Sequence, residues 1–472
     1  MAETEIDELA PDAAPPEEGD ELDEENRLKP EFVRAVTEAL EAHDESRAYE
    51  LVEPLHPADI ADLLELLDHD ERTGLAKAIT DLLTPDVIAE LNDYVREDMI
   101  EALPHAAVAD IAEQLDTDDA VQLLEDLEPE DQRAILAEME PEDRAAIESA
   151  LAYPEETAGR LMQREFVAVP EHMTVGGLID YLREHEELPT EFWEVFVVDA
   201  LHKPVGTCAL SWVLRTPRAV ALADVMKRDQ TLIPVTMDQE EVALRFQKYA
   251  LISAAVVDES GRLVGQLTVD DIVHIISEEA GEDILRLSGA GEGDINEPFV
   301  LTVRARLSWL VINLGTAILA SSVVGLFQGA IAQLALLAVL MPIVSGMGGN
   351  AGTQTLAVVV RALATNQLTS SNTLRMIWRE FRIALANGVS LAVLIGTGTA
   401  LLFHNPLLGA VIAAAMVINN LTAGIAGIMV PVTLDRLRID PAVSSAVFVT
   451  TATDVMGFFS FLGLAVLTGL AH

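Results

Sequence analysis

The sequence predicts a multi-domain membrane protein in which an acidic soluble half precedes an all-α transmembrane domain of five helices. Three observations predict this fold class: segregated charge, short repeated amphipathic helices near the start, and long apolar stretches near the end. Of the 78 acidic and 29 basic residues, only four acidic and eight basic ones lie in residues 301–472. A membrane domain fused to an acidic soluble domain explains this segregation, whereas a wholly soluble protein does not.

The first 152 residues contain an acidic tail and then a repetitive helical domain. Residues 1–30 are acidic, contain proline and lack aromatic side chains, which predicts a disordered tail. In residues 31–152, leucine-rich amphipathic runs alternate with proline and with acidic residues at helix starts, as at Pro57 and Pro129. This pattern predicts an α-helical superhelix of short helices, the N domain.

Residues 153–277 contain short β-rich runs between helices, and two of these segments resemble each other. Val197-Val-Asp199 followed by Pro204-Val-Gly206 matches Val256-Val257-Asp258 followed by Leu263-Val-Gly265. Each unit predicts the order strand, helix, strand, turn, strand, helix. The pattern resembles an α/β tandem pair of CBS domains, which often sense nucleotides or ions. A purely structural role in dimerisation is the alternative.

The remaining residues predict a connector and a membrane domain. Residues 278–300 begin as an acidic helix and then meet several glycines, which predicts a connecting helix. The transmembrane domain, residues 301–472, contains apolar stretches that can cross a hydrocarbon core of ~30 Å. Five spans are predicted at 307–328, 331–363, 383–403, 407–434 and 442–470. The second span contains Pro342 and the glycine-rich run Gly346–Gly352, so we expect a broken helix there.

The arginines predict the orientation of the spans. With five crossings, all eight arginines of residues 301–472 fall on one side of the membrane. The positive-inside rule then places the N-terminus in the cytoplasm and the C-terminus outside.

Asp454 is the most informative residue because it lies midway along the fifth span among apolar residues. A carboxylate at that depth is costly, so it is expected to face a wet path or a partner. A structural role, hydrogen-bonded to threonines or asparagines of neighbouring helices, is the alternative. Asn350, in the glycine-rich run, and Asn419-Asn420 add hard oxygen ligands. A lone carboxylate with amides and hydroxyls suits Mg²⁺, which keeps most of its waters.

Several motifs resemble the MgtE family of magnesium transporters and channels, from about Leu55 to the end. The most specific are Gly348-Gly-Asn350-Ala-Gly352-Thr-Gln354, Arg361-Ala-Leu363, and Asp440-Pro441-Ala442 leading to Thr450-Thr451-Ala-Thr453-Asp454. The resemblance implies a Mg²⁺-selective channel for magnesium uptake across the plasma (inner) membrane. It also implies a homodimer embedded in the lipid bilayer, with a connecting (plug) helix, Asp454 as the pore aspartate and Asn350 as the pore amide.

The acidic soluble half suggests how such a channel is gated. Like charges within a Debye length of ~8 Å repel unless cations bridge them, so regulatory Mg²⁺ is expected to draw the domains together and close the pore. Asp440, at the cytoplasmic end of the fifth span, is expected to meet the connector. ATP binding at the CBS domains is left open. By resemblance the sensor acids are Asp86, Asp118, Asp238, Glu240, Asp271, Glu279, Glu282 and Asp283.

Two rival functions remain at the level of sequence. One is a proton-coupled divalent-cation (Mg/Mn/Co) transporter that uses Asp454 as a proton relay. The other is a nucleotide-sensing receptor whose spans are only an anchor. No nucleophile–base pair, Walker-type loop or zinc-ligand cluster is visible, so no enzyme activity is predicted. The negative charge of the soluble half would repel phosphate, which argues against nucleic acid as a partner.

Overall fold

The computed structural model describes residues 21–101, 103–125, 127–185, 188–189, 192–290, 296–369, 371–443 and 445–470. These residues belong to two compact units, Met1–Ile272 and Val273–His472. Residues 1–20 of the acidic tail lie outside the described residues. The rest of that tail differs from the predicted disorder, because Leu22 and Leu28 form a β-bridge and Leu28 is buried in the core of the first helices.

The predicted N domain is a succession of short helices. Proline occupies the first turn of five of them, where its missing N–H leaves no bond unmade, and acidic residues in most first turns favour the helix dipole. Their leucine faces bury one continuous apolar core that includes Leu63, Leu64 and Leu75. The helices are α1 Pro30–Glu41, α2 Glu45–Val52, α3 Pro57–Leu66, α4 His69–Ala78, α5 Pro85–Ala89, α6 Asp93–Glu101, α7 His105–Ala112, α8 Thr117–Glu125, α9 Pro129–Glu138 and α10 Pro141–Leu151.

The predicted α/β repeat is confirmed by two three-stranded sheets with the same topology. In each sheet the first strand runs parallel to the second and the second antiparallel to the third. The strands are β1 Ala168–Pro170, β2 Glu194–Val198, β3 Pro204–Ala209, β4 Leu232–Pro234, β5 Ser253–Val257 and β6 Leu263–Thr268. The helices are α11 Val175–Glu184, α12 Leu210–Arg215, α13 Leu222–Val225, α14 Gln239–Tyr249 and α15 Val269–Ser288.

The glycine that ends each matching motif has the same packing role in both sheets. Gly206 pairs with Val197, and Gly265 pairs with Val256. A Cβ atom at Gly206 would lie 2.9 Å from the carbonyl oxygen of Lys227, and one at Gly265 would lie 2.8 Å from that of Gln163. Only glycine lets these backbones approach so closely, which explains why the repeat is visible in the sequence.

The second unit contains five helices that are long and apolar enough to cross a membrane. They are α16 Phe299–Leu326, α18 Leu336–Ala364, α19 Thr373–Leu402, α20 Pro406–Arg436 and α21 Ser445–Leu467, with the short α17 Gln328–Gln333 between the first two. The connecting helix starts earlier than predicted, because α15 continues directly from β6. It ends at Ser288, where Gly289 adopts a left-handed φ of 67°.

The prediction of a broken second span is wrong. α18 is one continuous helix that contains Pro342, and its glycines serve close packing. A Cβ atom at Gly348 would overlap Asn419 of α20, and one at Gly352 would lie 2.5 Å from Cγ1 of Val449 on α21. Small residues that let helices approach are common in membrane domains, which was the alternative interpretation of this run.

Candidate cation sites

Asp454 lies in the middle of α21 and faces α18. Its side chain is half-buried, and its Oδ1 accepts a hydrogen bond from the hydroxyl of Ser345. The neighbouring threonines bond within their own helix instead, as Thr451 does through 2.6 Å to the carbonyl oxygen of Val447. The predicted alternative, an aspartate satisfied by threonines or asparagines, therefore differs from the observed arrangement, in which one serine is the partner.

Asn419 holds the helices around this carboxylate in place. Its side chain is fully buried, and its Nδ2 donates to the carbonyl oxygen of Val344 over 2.8 Å, one residue before Ser345. Among the described residues, Oδ1 of Asn419 and Oδ1 of Asn420 have no hydrogen-bond partner. An unmet buried acceptor costs about 1–3 kcal/mol, so water is expected to satisfy these two amides.

Asn350, the predicted pore amide, lies on a different side of α18. Its side chain is exposed and makes no hydrogen bond within the part of the chain that the structure describes. Thr353 and Gln354 are exposed beside it. The structure therefore brings Ser345 rather than Asn350 to Asp454. The role of Ser345 was not predicted from the sequence.

The first unit, Met1–Ile272, is called the soluble unit below. In it, two of the predicted sensor acids, Asp118 and Asp271, lie close together. Asp271, in the first turn of α15, accepts from the Thr268 hydroxyl over 2.6 Å and from Nε2 of Gln163 over 3.2 Å. Asp118, in the first turn of α8, is half-buried as a residue, but its Oδ1 is fully covered and has no partner among the described residues.

The pKa values of Asp118, Asp119 and Asp271 are all raised, because these carboxyl groups are buried and little positive charge surrounds them. Burial, and then the charge of Asp271, raise the pKa of Asp118 well above its ordinary value. Burial and the same neighbour raise the pKa of Asp119 to about 7, against a small opposing effect of Arg96. Burial raises the pKa of Asp271 to about 6, although its bond from Thr268 acts in the other direction. These carboxylates would be stabilised by a cation.

A closed metal cage is not preformed in the residues described by the structure. Within them, no three histidine, cysteine, aspartate or glutamate side chains converge on one point. Mg²⁺ does not require such a cage, because it is commonly held by one or two carboxylates while it keeps several waters. A carboxylate pair such as Asp118 and Asp271 therefore suits hydrated Mg²⁺ better than zinc.

The other predicted sensor acids of the soluble unit occupy separate positions. Asp86 is exposed in the first turn of α5. Asp238 caps α14, where it accepts from the backbone N–H of Glu240 over 3.0 Å. Its carboxylate is thus already used to begin a helix.

On the connecting helix, an arginine lies among the predicted acids. Arg286 forms ion pairs with Glu282 on its own helix and with Asp440 before α21, the latter over 2.6 Å. Burial, followed by the charges of Asp440 and Glu279, raises the pKa of Asp283. The expected contact between Asp440 and the connector is thus present, and Arg286, whose role was not predicted from the sequence, makes it.

These features define a class of protein: a multi-pass membrane protein with a carboxylate inside its helical bundle and a CBS-containing soluble unit. Family models match residues 341–464 as a divalent cation transporter, residues 55–156 as the MgtE intracellular N domain and residues 222–278 as a CBS domain. Residues 168–215 repeat the fold of that CBS domain.

Curated relatives identify the family. The magnesium transporter MgtE of Bacillus subtilis is 32% identical over 322 residues, which cover 68% of this chain and 71% of the relative. The protein of that name from Thermus thermophilus is 33% identical over 323 residues, with the same coverage. The chain belongs to the MgtE family. A solved structure similar to this chain is the crystal structure of the cytosolic domain of the Mg²⁺ channel MgtE in complex with ATP. The two sequences are 28% identical, and the match, with a TM-score of 0.48, covers 52% of this chain and 99% of that domain.

Proposed function

We propose that this chain forms a Mg²⁺ channel that mediates magnesium uptake and is closed by Mg²⁺ bound to its acidic soluble unit. The half-buried carboxylate of Asp454 carries the proposal, because its one hydrogen-bond donor among the described residues is a serine hydroxyl. A carboxylate in a membrane needs a partner or water. A hydrated Mg²⁺ supplies both, and it can leave again because one carboxylate does not strip its waters.

A homodimer is part of this proposal. The exposed side of α18 presents Asn350, Thr353 and Gln354, and polar side chains facing lipid are costly. A second copy related by a two-fold axis would cover this face and line a wet path with two sets of amides. Asn350 then meets the ion across the dimer axis rather than within one chain.

The location and orientation follow from the arginines. Arg304 and Arg306 lie near the start of α16, whereas the connection from α19 to α20 at residues 403–405 contains no basic residue other than His404. The positive-inside rule then supports a plasma-membrane protein with a cytoplasmic N-terminus and an external C-terminus. In that orientation the acidic unit samples cytoplasmic Mg²⁺, and ATP binding at its CBS pair remains a prediction of the resemblance.

The test is Mg²⁺ flux through the purified full-length chain in liposomes that contain a Mg²⁺-sensitive dye. We expect Asp454→Ala to reduce the flux to the level of empty liposomes, and Asp435→Ala, an exposed acid at the end of α20, to leave it unchanged. Equal flux through the wild type and Asp454→Ala would refute the proposal. Flux that follows an imposed pH gradient rather than the Mg²⁺ gradient would instead support the proton-coupled transporter.

A further inference from the structure

The second unit, Val273–His472, is called the membrane unit below. A cavity of about 470 Å³ lies in it, between the end of α18 and the start of α19. Arg361 reaches it from α18, and Arg375 and Arg379 reach it from the first two turns of α19. Its volume falls within the range of small-molecule pockets, about 300–1,000 Å³. The ion path proposed above does not use this cavity.

The three arginines are free to bind an anion. All three side chains are exposed, and none forms an ion pair with an acid in the described part of the chain. Arg286, by contrast, is held by Glu282 and Asp440. Three guanidinium groups around one cavity repel one another unless an anion lies between them, and guanidinium forks match the oxygens of a phosphate.

Side-chain hydrogen bonds fix the loop that lines one side of the cavity. Asn372 accepts from the N–H of Thr369 over 2.9 Å and donates to the carbonyl oxygen of Gln367 over 2.7 Å, which fixes the loop before α19. Because α19 begins at Thr373, directly after Asn372, the positive end of its helix dipole adds to the charge of the arginines. Leu368 and Met376 supply an apolar part of the wall.

The position of the cavity along α19 matches the membrane surface. Trp378 is 60% exposed and stacks on Phe381 with ring centroids 5.5 Å apart. Exposed tryptophan is typical of the interface between lipid headgroups and hydrocarbon, and the apolar part of α19 begins five residues after Trp378, at Ile383. The arginines on the same two turns therefore lie at the level of the headgroups.

We propose that this pocket binds the phosphate of an anionic phospholipid in the arginine-bearing leaflet. The arginines hold the phosphate, while Leu368 and Met376 contact the glycerol and the first methylenes. Basic pockets between transmembrane helices on the cytoplasmic side bind anionic headgroups in this way. A free phosphate could satisfy the arginines alone, but it would leave the apolar wall and the interfacial position without a role.

The test is native mass spectrometry of the full-length chain, delipidated and titrated with phosphatidylglycerol or phosphatidylcholine. We expect one phosphatidylglycerol per chain to bind preferentially to the wild type. The triple variant Arg361→Gln, Arg375→Gln, Arg379→Gln should bind it about 100-fold more weakly, from the usual contribution of a basic side chain near anionic lipid. The matched control Arg304→Gln, Arg436→Gln, Arg438→Gln removes the same charge from exposed arginines of the same predicted side and should keep wild-type binding.

Two further arms make the result decisive. Replacing the three pocket arginines with lysine keeps the charge but removes the guanidinium fork, so we expect intermediate affinity from a chain that still folds. An excess of inorganic phosphate should not displace the lipid. Displacement would reassign the pocket to a soluble anion, and equal losses in the pocket and control variants would reduce the effect to general surface charge. Either result would overturn the proposal.

Discussion

The soluble unit and the membrane unit place carboxylates in opposite surroundings. In the soluble unit, Asp118, Asp119 and Asp271 are neighbours. Burial raises the pKa of all three, and the charge of Asp271 further raises the pKa values of Asp118 and Asp119. In the membrane unit, Asp454 stands apart with Ser345 as its partner. Crowded acids store repulsion that a bound cation relieves, so they suit a switch. A single acid attracts a cation without holding it tightly, so it suits a path.

The largest expected effect distinguishes the gating role of the soluble-unit aspartates from the conducting role of Asp454. In the double variant Asp118→Asn, Asp271→Asn, Mg²⁺ can no longer bridge two carboxylates, so its preference for the closed form is lost. We expect the Mg²⁺ concentration that closes the channel in patch recordings to rise at least about tenfold, within the usual range of coupling between sites. The open-channel current should stay near the wild-type value because Asp454 is intact.

The control for this experiment is Asp224→Asn, which removes an exposed acid in α13. It should close at the same Mg²⁺ concentration as the wild type. If the double variant also closed there, the acidic cluster would have no part in gating, and the contrast between the two units would fail.

The next effect concerns pH. In the folded chain the pKa values of Asp119 and Asp271 are raised to about 7 and about 6, whereas unfolded aspartate titrates near 3.9. The folded state therefore binds more protons, and its stability increases as the pH falls from about 8 to about 5. Without Mg²⁺ we expect the melting temperature of the soluble unit to rise by about 5–10 °C over this interval, measured by scanning fluorimetry of the whole chain.

Bound Mg²⁺ should stabilise the folded soluble unit as protons do, because it neutralises the same carboxylates. At about pH 8, added Mg²⁺ is expected to raise the melting temperature of the wild type, and at about pH 5 it should add little. Because Asp118 also has a raised pKa, the triple variant Asp118→Asn, Asp119→Asn, Asp271→Asn should melt higher than the wild type at about pH 8 and lose most of the pH dependence. A variant that kept the full dependence would show that other groups cause it.

A smaller effect tests the packing that places Asp454. Gly348→Ala would push a methyl group into Asn419, so we expect the free energy of unfolding to fall by about 1–3 kcal/mol, as for other overpacked cores. Gly346→Ala, on the same helix, has open space within 4 Å of the added atom. It should change stability by less than about 1 kcal/mol in the direction of helix propensity. Thermal unfolding in detergent measures both, and equal losses would refute the proposed role of this contact.

The smallest expected effect is that of the connector arginine. Arg286→Gln breaks the ion pairs with Glu282 and Asp440, but these side chains are about one-third exposed. Exposed pairs contribute at most about 1 kcal/mol, so the melting temperature of the variant should lie within a few degrees of the wild type. Arg438→Gln, an exposed arginine without an ion pair in the described residues, is the reference. A loss above about 2 kcal/mol would show that the connector is held mainly by this pair.

The architecture was predictable from the sequence because each part of the chain has its own local pattern. Proline with acidic residues marked the starts of the N-domain helices, and the spans were visible as apolar length. The CBS repeat was visible because Gly206 and Gly265 meet a backbone carbonyl at equivalent places. Such one-residue constraints survive in the sequence, so the fold class and the family could be predicted.

The site could be predicted only in part, because side-chain partners depend on how distant helices pack. Asp454 was identifiable by its depth in a span. Ser345 was not, because a serine in a glycine-rich run gives no indication of which helix it faces. The same run was interpreted as a break, since glycine frequency does not distinguish an unwound helix from a tightly packed one. The role of Arg286 was hidden for a similar reason: the acids around it suggested a metal, and its contact with Asp440 lies far away in sequence.

The wedge formed by Asn419 has a consequence for how this family can diverge. Its amide fills space that Gly348 and Gly457 leave open on two other helices. A descendant that gained a side chain at either glycine would have to give up the amide at once, and a descendant that lost the amide would be released from both glycines. Natural variation at these three positions should therefore be inherited as a block, so that aligned relatives either share all three residues or depart from them together.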